Sequence, residues 1–122
     1  MLNMRPLYHP PVEEITVEGV IYALSDPVRV QIFTQLASSE CAKNCSTFLH
    51  VKDTPLPKST LSQHFRILRE AGLIRSERKG VELHNKTRCP ELKDRFGSMI
   101  QAILQAYSAQ HKNGKKKSRR MA

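Results

Sequence analysis

A chain of 122 residues with 39% hydrophobic residues has the length of one domain and enough apolar material for a core. Its 20 Lys+Arg against 11 Asp+Glu give a net charge of +9, which points to a polyanionic partner. The three cysteines are an odd number, which argues against a secreted disulfide scaffold. No apolar run approaches the roughly 18 residues that cross a bilayer, and Met1 to Pro6 lacks the apolar stretch of a secretory signal. A cytoplasmic protein without membrane contact is expected.

The charge is unevenly spread. Residues 1–51 are net −2 and residues 89–110 are neutral, so two blocks carry the excess. Residues 52–88 hold nine basic and four acidic side chains, a net of +5, and residues 111–122 add +6. The second block includes Gly114 and Ser118, has no apolar periodicity, and reads as a disordered tail. It is either a solubilising end or an arm that seeks phosphates. The first block is more informative, because it coincides with a patterned segment.

In chain order, residues 1–14 contain Pro6, Pro10 and Pro11 and read as an extended arm. A domain over residues 15–110 follows. Val17, Val20, Ile21 and Leu24 recur at helical spacing behind Thr16, a good N-cap. Asp26-Pro27 restarts the chain as a second helix carrying Val28, Ile32, Phe33 and Leu36 and ending near Ala37. Residues 40–50 read as a short third helix with Cys41 and Cys45 on its inner side. Pro55 and Pro57 enforce a loop before an amphipathic helix from Lys58 to Ala71. There Leu61, Phe65 and Leu68 face inward, and Gly72 suits the left-handed C′ position. Ile74–Glu77 and Val81–Asn85 read as a hairpin with Arg78-Lys79-Gly80 at its tip. Pro90 opens a last helix with a broad stripe of Leu92, Phe96, Met99, Ile100, Ile103, Leu104 and Tyr107.

Helices, a helix-turn-helix, a basic hairpin and a final helix make a mainly α chain with a small β-hairpin wing. That is the plan of a winged helix-turn-helix. A helix that enters a major groove must be apolar on one side and small, polar or basic on the other. The 58–71 helix meets this demand with Lys58, Ser59, Thr60, Ser62, Gln63 and His64 in its first turns. Gln63 can bond adenine edges, the hydroxyls suit bases or phosphates, and Lys58 and Arg66 suit phosphates. Arg78 and Lys79 can reach the adjoining minor groove. An ordinary amphipathic surface helix beside a solvated hairpin fits the same pattern.

Two stretches carry a resemblance. The first is Ala23-Leu24-Ser25-Asp26-Pro27-Val28-Arg29-Val30. The second is Ser59-Thr60-Leu61-Ser62-Gln63-His64-Phe65-Arg66-Ile67-Leu68-Arg69-Glu70-Ala71-Gly72-Leu73-Ile74. Together they resemble the ArsR family of bacterial transcriptional repressors, over about residues 16–107. The resemblance implies a homodimer on a palindromic promoter site in double-stranded DNA, repressing until a signal releases it. It also implies a dimer interface of first and last helices, here Val17, Val20, Leu92, Phe96, Met99, Ile100, Ile103 and Tyr107.

Many relatives of that family sense metals or metalloids through a Cys-x-Cys pattern, whereas this chain has Cys41 and Cys45 at Cys-x3-Cys spacing. On a helix those thiols share a face, and Cys89 is a third candidate. Three readings stand: buried apolar residues, redox-sensing thiols, or ligands for a soft metal or metalloid. The family's other site, on the last helix, is absent, since Asp94 precedes Arg95 and Phe96 and His111 stands alone. No cofactor is expected beyond that thiol site. His9, His50 and His84 read as arm, loop and wing residues. Cys45 and His50 do not share a helical face, no phosphate-binding glycine pattern appears, and no enzyme is expected. The competing function is a winged-helix module for protein or RNA without operator specificity.

Overall fold

The computed structural model describes residues 7–38, 43–44 and 56–121, with backbone alone for 43–44 and 112–121. A 3₁₀ turn at Val12–Glu14 leads into α1 (Val17–Ala23) and α2 (Pro27–Ala37). A two-residue strand β1 (Lys43–Asn44) follows, then α3 (Lys58–Glu70), β2 (Ile74–Lys79), β3 (Glu82–Thr87) and α4 (Cys89–Met121). The sheet is antiparallel with order β1-β3-β2.

Local chemistry accounts for the breaks. Thr16 Oγ1 accepts the Gly19 amide at 3.0 Å and starts α1. One carboxylate oxygen of Asp26 accepts the Val28 and Arg29 amides at 2.7 and 3.3 Å, with Pro27 at the first helical position. α3 ends in a Schellman closure: the Leu73 amide reaches Leu68 O and the Gly72 amide reaches Arg69 O, both at 3.0 Å. Gly72 takes φ +90°, and a Cβ there would drive into Ile15 as well. Glycine is therefore demanded twice at this turn.

One core joins the elements. Val20 and Ala23 of α1, Ile32, Phe33 and Leu36 of α2, and Leu61, Phe65 and Leu68 of α3 are buried in it. Leu73 and Ile74 join them, as do Leu92, Phe96 and Ile100 of α4. Four residues expected at a dimer interface, Val20, Leu92, Phe96 and Ile100, therefore belong to the interior of the single chain. The row Leu92–Phe96–Ile100 is one turn apart throughout and packs inward. Met99, Ile103, Leu104 and Tyr107 flank it, half-buried.

Three other expectations change. Lys43 and Asn44 pair with Asn85 and His84, so no helix runs unbroken across residues 40–50. The free edge of β3 recruits this segment as a strand, and pairing of backbone groups overrides local helical spacing. The hairpin strands reach further than expected: Lys79 pairs with Glu82, so Arg78 and Lys79 lie in β2 and the turn is Gly80-Val81. Lastly, α4 continues through Met121 and takes in the basic segment read as disordered from its composition. Lysine and arginine are favourable in helices, so a basic stretch can extend a helix that is already nucleated, even across Gly114. Among the described residues, no helix is long and apolar enough to cross a membrane.

Candidate nucleic-acid interface

α3 is positioned by its buried row Leu61, Phe65 and Leu68, which leaves Lys58, Ser59, Thr60, Ser62 and Gln63 exposed on the opposite side. Its N-terminus follows Pro57 and has no side-chain cap, so the first-turn amides are not capped by a side chain. Arg66 is also exposed and pairs with Glu70 at 3.1 Å. His64, expected to face DNA, has a partner within the fold. It is half-buried, and its Nδ1 lies 3.3 Å from a guanidinium nitrogen of Arg29. A guanidinium only donates, so Nδ1 is the acceptor.

Arg29 was visible in the sequence only as part of a motif. It is buried at the α1–α2 corner, where its Nε donates to Ala23 O at 2.7 Å and an Nη to Tyr22 O at 3.1 Å. Its guanidinium stands 5.3 Å from the Tyr22 ring centre. One side chain thus satisfies carbonyls at the end of α1, reaches α3 through His64, and is ion-paired to the Asp26 cap at 3.9 Å.

A second buried chain ties α3 to the wing. Arg69 Nε donates to Ser76 Oγ at 2.9 Å, and Ser76 Oγ donates to Asn85 Oδ1 at 2.6 Å. Asn85 is fully buried and bonds Leu83 O at 3.4 Å. Helix α3 and both wing strands are therefore linked by buried side chains. A signal existed: Arg69 falls four residues after Phe65, on the inner side of an amphipathic helix, where a cation needs a buried partner.

At the wing base, Arg88 is buried and grips Glu91 at 3.0 Å, while Arg75 reaches the same carboxylate at 3.2 Å. The Arg88 hydrogen bond, ahead of all other influences, holds the Glu91 carboxyl below its ordinary value of 4.5. The distal wing is exposed at Glu77, Arg78, Lys79 and Gly80, with Val81 fully in solvent. His84 lies on β3 beside Glu82 at 3.2 Å.

The thiol site cannot be built from these elements. Cys41, Cys45 and His50 lie outside the described residues, and Cys89 is a half-buried free thiol at the start of α4. Among the described residues, no group of three His, Cys, Asp or Glu side chains could hold a metal ion.

Residues 26–76, from the α2 cap to the Arg69 partner Ser76, match the family model described as bacterial regulatory protein, arsR family. That stretch is the part of the chain that is similar to the ArsR family. It is 38% identical over 76 residues to the HTH-type transcriptional repressor SmtB of Mycobacterium tuberculosis, in two strains. That match takes in 61% of this chain and 53% of SmtB, so the chain spans about half the length of these relatives. Two solved structures share its fold at 22% identity. An ArsR-like transcriptional regulator from Rhodococcus sp. RHA1 has a TM-score of 0.51, with 86% of this chain and 91% of that one covered. Rv0081 of M. tuberculosis has a TM-score of 0.56, with 83% and 97% covered. The winged helix-turn-helix of this chain is thus a shared architecture.

Proposed function

We propose that this chain is an ArsR-family regulator that binds double-stranded DNA sequence-specifically as a homodimer on a palindromic promoter site and represses transcription there. The observation that carries the reading is the division of α3. Leu61, Phe65 and Leu68 are buried, while Lys58, Ser59, Thr60, Ser62 and Gln63 are exposed beside a basic wing. Small hydroxyls and an amide at the front of a groove-sized helix suit base edges, and Lys58, Arg66, Arg78 and Lys79 suit phosphates. The curated relatives it resembles are named as repressors, which supports the direction of regulation. For the dimer, α1 exposes about half or more of Val17, Ile21 and Tyr22 to solvent, an unusual concentration for so short a helix.

The test is selection of binding sites from randomised duplex DNA, followed by affinity measurements on the selected site and a scrambled one. An inverted repeat is expected, and the variant with Ser62→Ala and Gln63→Ala should lose about 1–3 kcal/mol of discrimination for each base edge it no longer reads. An unselective pool, or weak binding equal on both duplexes, would favour an interaction module for protein or RNA.

Release by a thiol-directed signal completes the proposed function. Cys41 and Cys45 bracket, in sequence, the Lys43–Asn44 strand that pairs with wing strand β3. Chemistry at either thiol therefore acts next to a segment bonded to the wing. Titration of the DNA-bound protein with arsenite, zinc or peroxide should release it, and a variant with Cys41→Ser and Cys45→Ser should stay bound. Identical release from both proteins excludes these thiols as the sensor.

A further inference from the structure

The residues before α1 form a strap across the base of the wing. Pro10 O accepts from Arg88 at 2.7 Å, Val12 O accepts from Arg95 at 2.7 Å, and Ile15 O lies 3.5 Å from the same guanidinium. Pro10 and Ile15 cover Gly72. One more contact is of a different kind. The Ser76 backbone amide donates to His9 Nε2 at 2.9 Å. β2 is the outer strand of its sheet on this side, so the imidazole meets an amide that the ladder leaves facing outward.

A backbone amide can only donate, so this bond requires Nε2 without its proton. A proton on Nε2 would set two donors against each other. It would also add a cation to a cationic setting: Arg75 from β2, Arg69 from α3 and Arg88 from the β3–α4 junction all act on this ring. Two of these guanidiniums, Arg88 and Arg75, are themselves paired with Glu91 of α4.

We propose that His9 is a proton-operated latch, closed when neutral, whose protonation frees the strap and loosens β2 at Ser76. The loosening stays local, because the Ser76 hydroxyl keeps its own bonds to Arg69 of α3 and Asn85 of β3 when the amide loses His9. Burial, followed by the fields of Arg75, Arg69 and Arg88, holds the imidazole below its ordinary 6.5, against a smaller opposing hydrogen bond with the Leu7 backbone. The neutral form therefore prevails at neutral pH. As pH falls below 6.5 and through the lowered value, the strap's stabilisation is lost.

The latch does not rest on DNA binding, and its test uses the full chain without DNA. Backbone amide exchange, expressed as protection relative to the intrinsic rate, is compared at about pH 7.5 and about pH 5. Ser76 should lose protection several-fold on acidification while the Leu68 amide inside α3 keeps its own. The His9 ring, titrated by NMR, should share its midpoint with the Ser76 loss. His9→Ala should lack the protection already at neutral pH, and His9→Gln, which keeps an acceptor but no titrating proton, should show no change with pH. Protection unchanged in His9→Ala, a pH dependence surviving in His9→Gln, unequal midpoints, or simultaneous loss at Leu68 would each overturn the latch.

Discussion

Arg69 occupies the inner side of α3 one turn beyond Phe65, a place where an apolar residue would ordinarily sit. An unpaired guanidinium there would cost several kcal/mol in desolvation, and the bond to Ser76, itself bonded to Asn85, offsets much of this. Arg69→Ala should accordingly lower unfolding free energy by about 2–4 kcal/mol, read from urea denaturation. The exposed pair Arg66–Glu70 lies on the same helix with side chains 70% and 48% exposed, and a matched Arg66→Ala control should change it by well under about 1 kcal/mol. Glu91 gives the residue scale its pH dependence. Its folded carboxyl is held below 4.5, so the stability it contributes is present above that value and lost as pH falls through the depressed one. Urea midpoints recorded across the acid range should show this decline, and Glu91→Gln should flatten it.

Elements in this protein begin and end where single residues dictate. Gly72 combines a left-handed backbone with close packing against Ile15 and Pro10. Gly72→Ala is expected to destabilise by about 1–3 kcal/mol, with a matching drop in thermal midpoint, whereas Gly80→Ala at φ +66° has open space and should cost less. For the wing strand, replacing Arg78 and Lys79 by Gln should weaken binding to all duplexes. The slope of log affinity against log salt should fall by about 0.9 for each phosphate that is no longer neutralised. Most boundaries were legible in the sequence for such local reasons: Thr16, Asp26-Pro27 and Gly72 each carry a stop or start within their own chemistry. The hairpin tip was not, because Arg78 and Lys79 look like turn residues. They pair in the ladder nonetheless, since a wing open to solvent asks no alternation of its outer half. The Lys43–Asn44 strand was hidden for a related reason: it exists by virtue of an edge supplied much later in the chain, at His84 and Asn85. In the candidate site, the exposed face of α3 could be read from periodicity, but the tie of His64 to Arg29 could not. That tie joins residues 35 positions apart, and only the packed fold brings them together.

At the scale of the molecule, burial sorts the apolar residues into two groups. Leu92, Phe96 and Ile100 complete the protomer, while Val17, Ile21 and Tyr22 remain in solvent. On the proposed dimer, the second group is the one to perturb. Ile21→Glu with Tyr22→Glu should shift sedimentation from dimer to monomer with an unchanged helical circular dichroism signal. Phe96→Glu should instead unfold the chain, because a charge would enter the core. Finally, β3 ends at Thr87 and α4 begins at Cys89, so a single residue, Arg88, separates the wing from a helix of 33 residues. At about 1.5 Å per residue that helix is a rod of roughly 50 Å, and a tilt of about 5° at its root displaces the far end by roughly 4 Å. Arg88, bonded to Pro10 and Glu91, is thus the joint that sets the angle between wing and rod, and Leu92, Phe96 and Ile100 clamp the near end of the rod in the core.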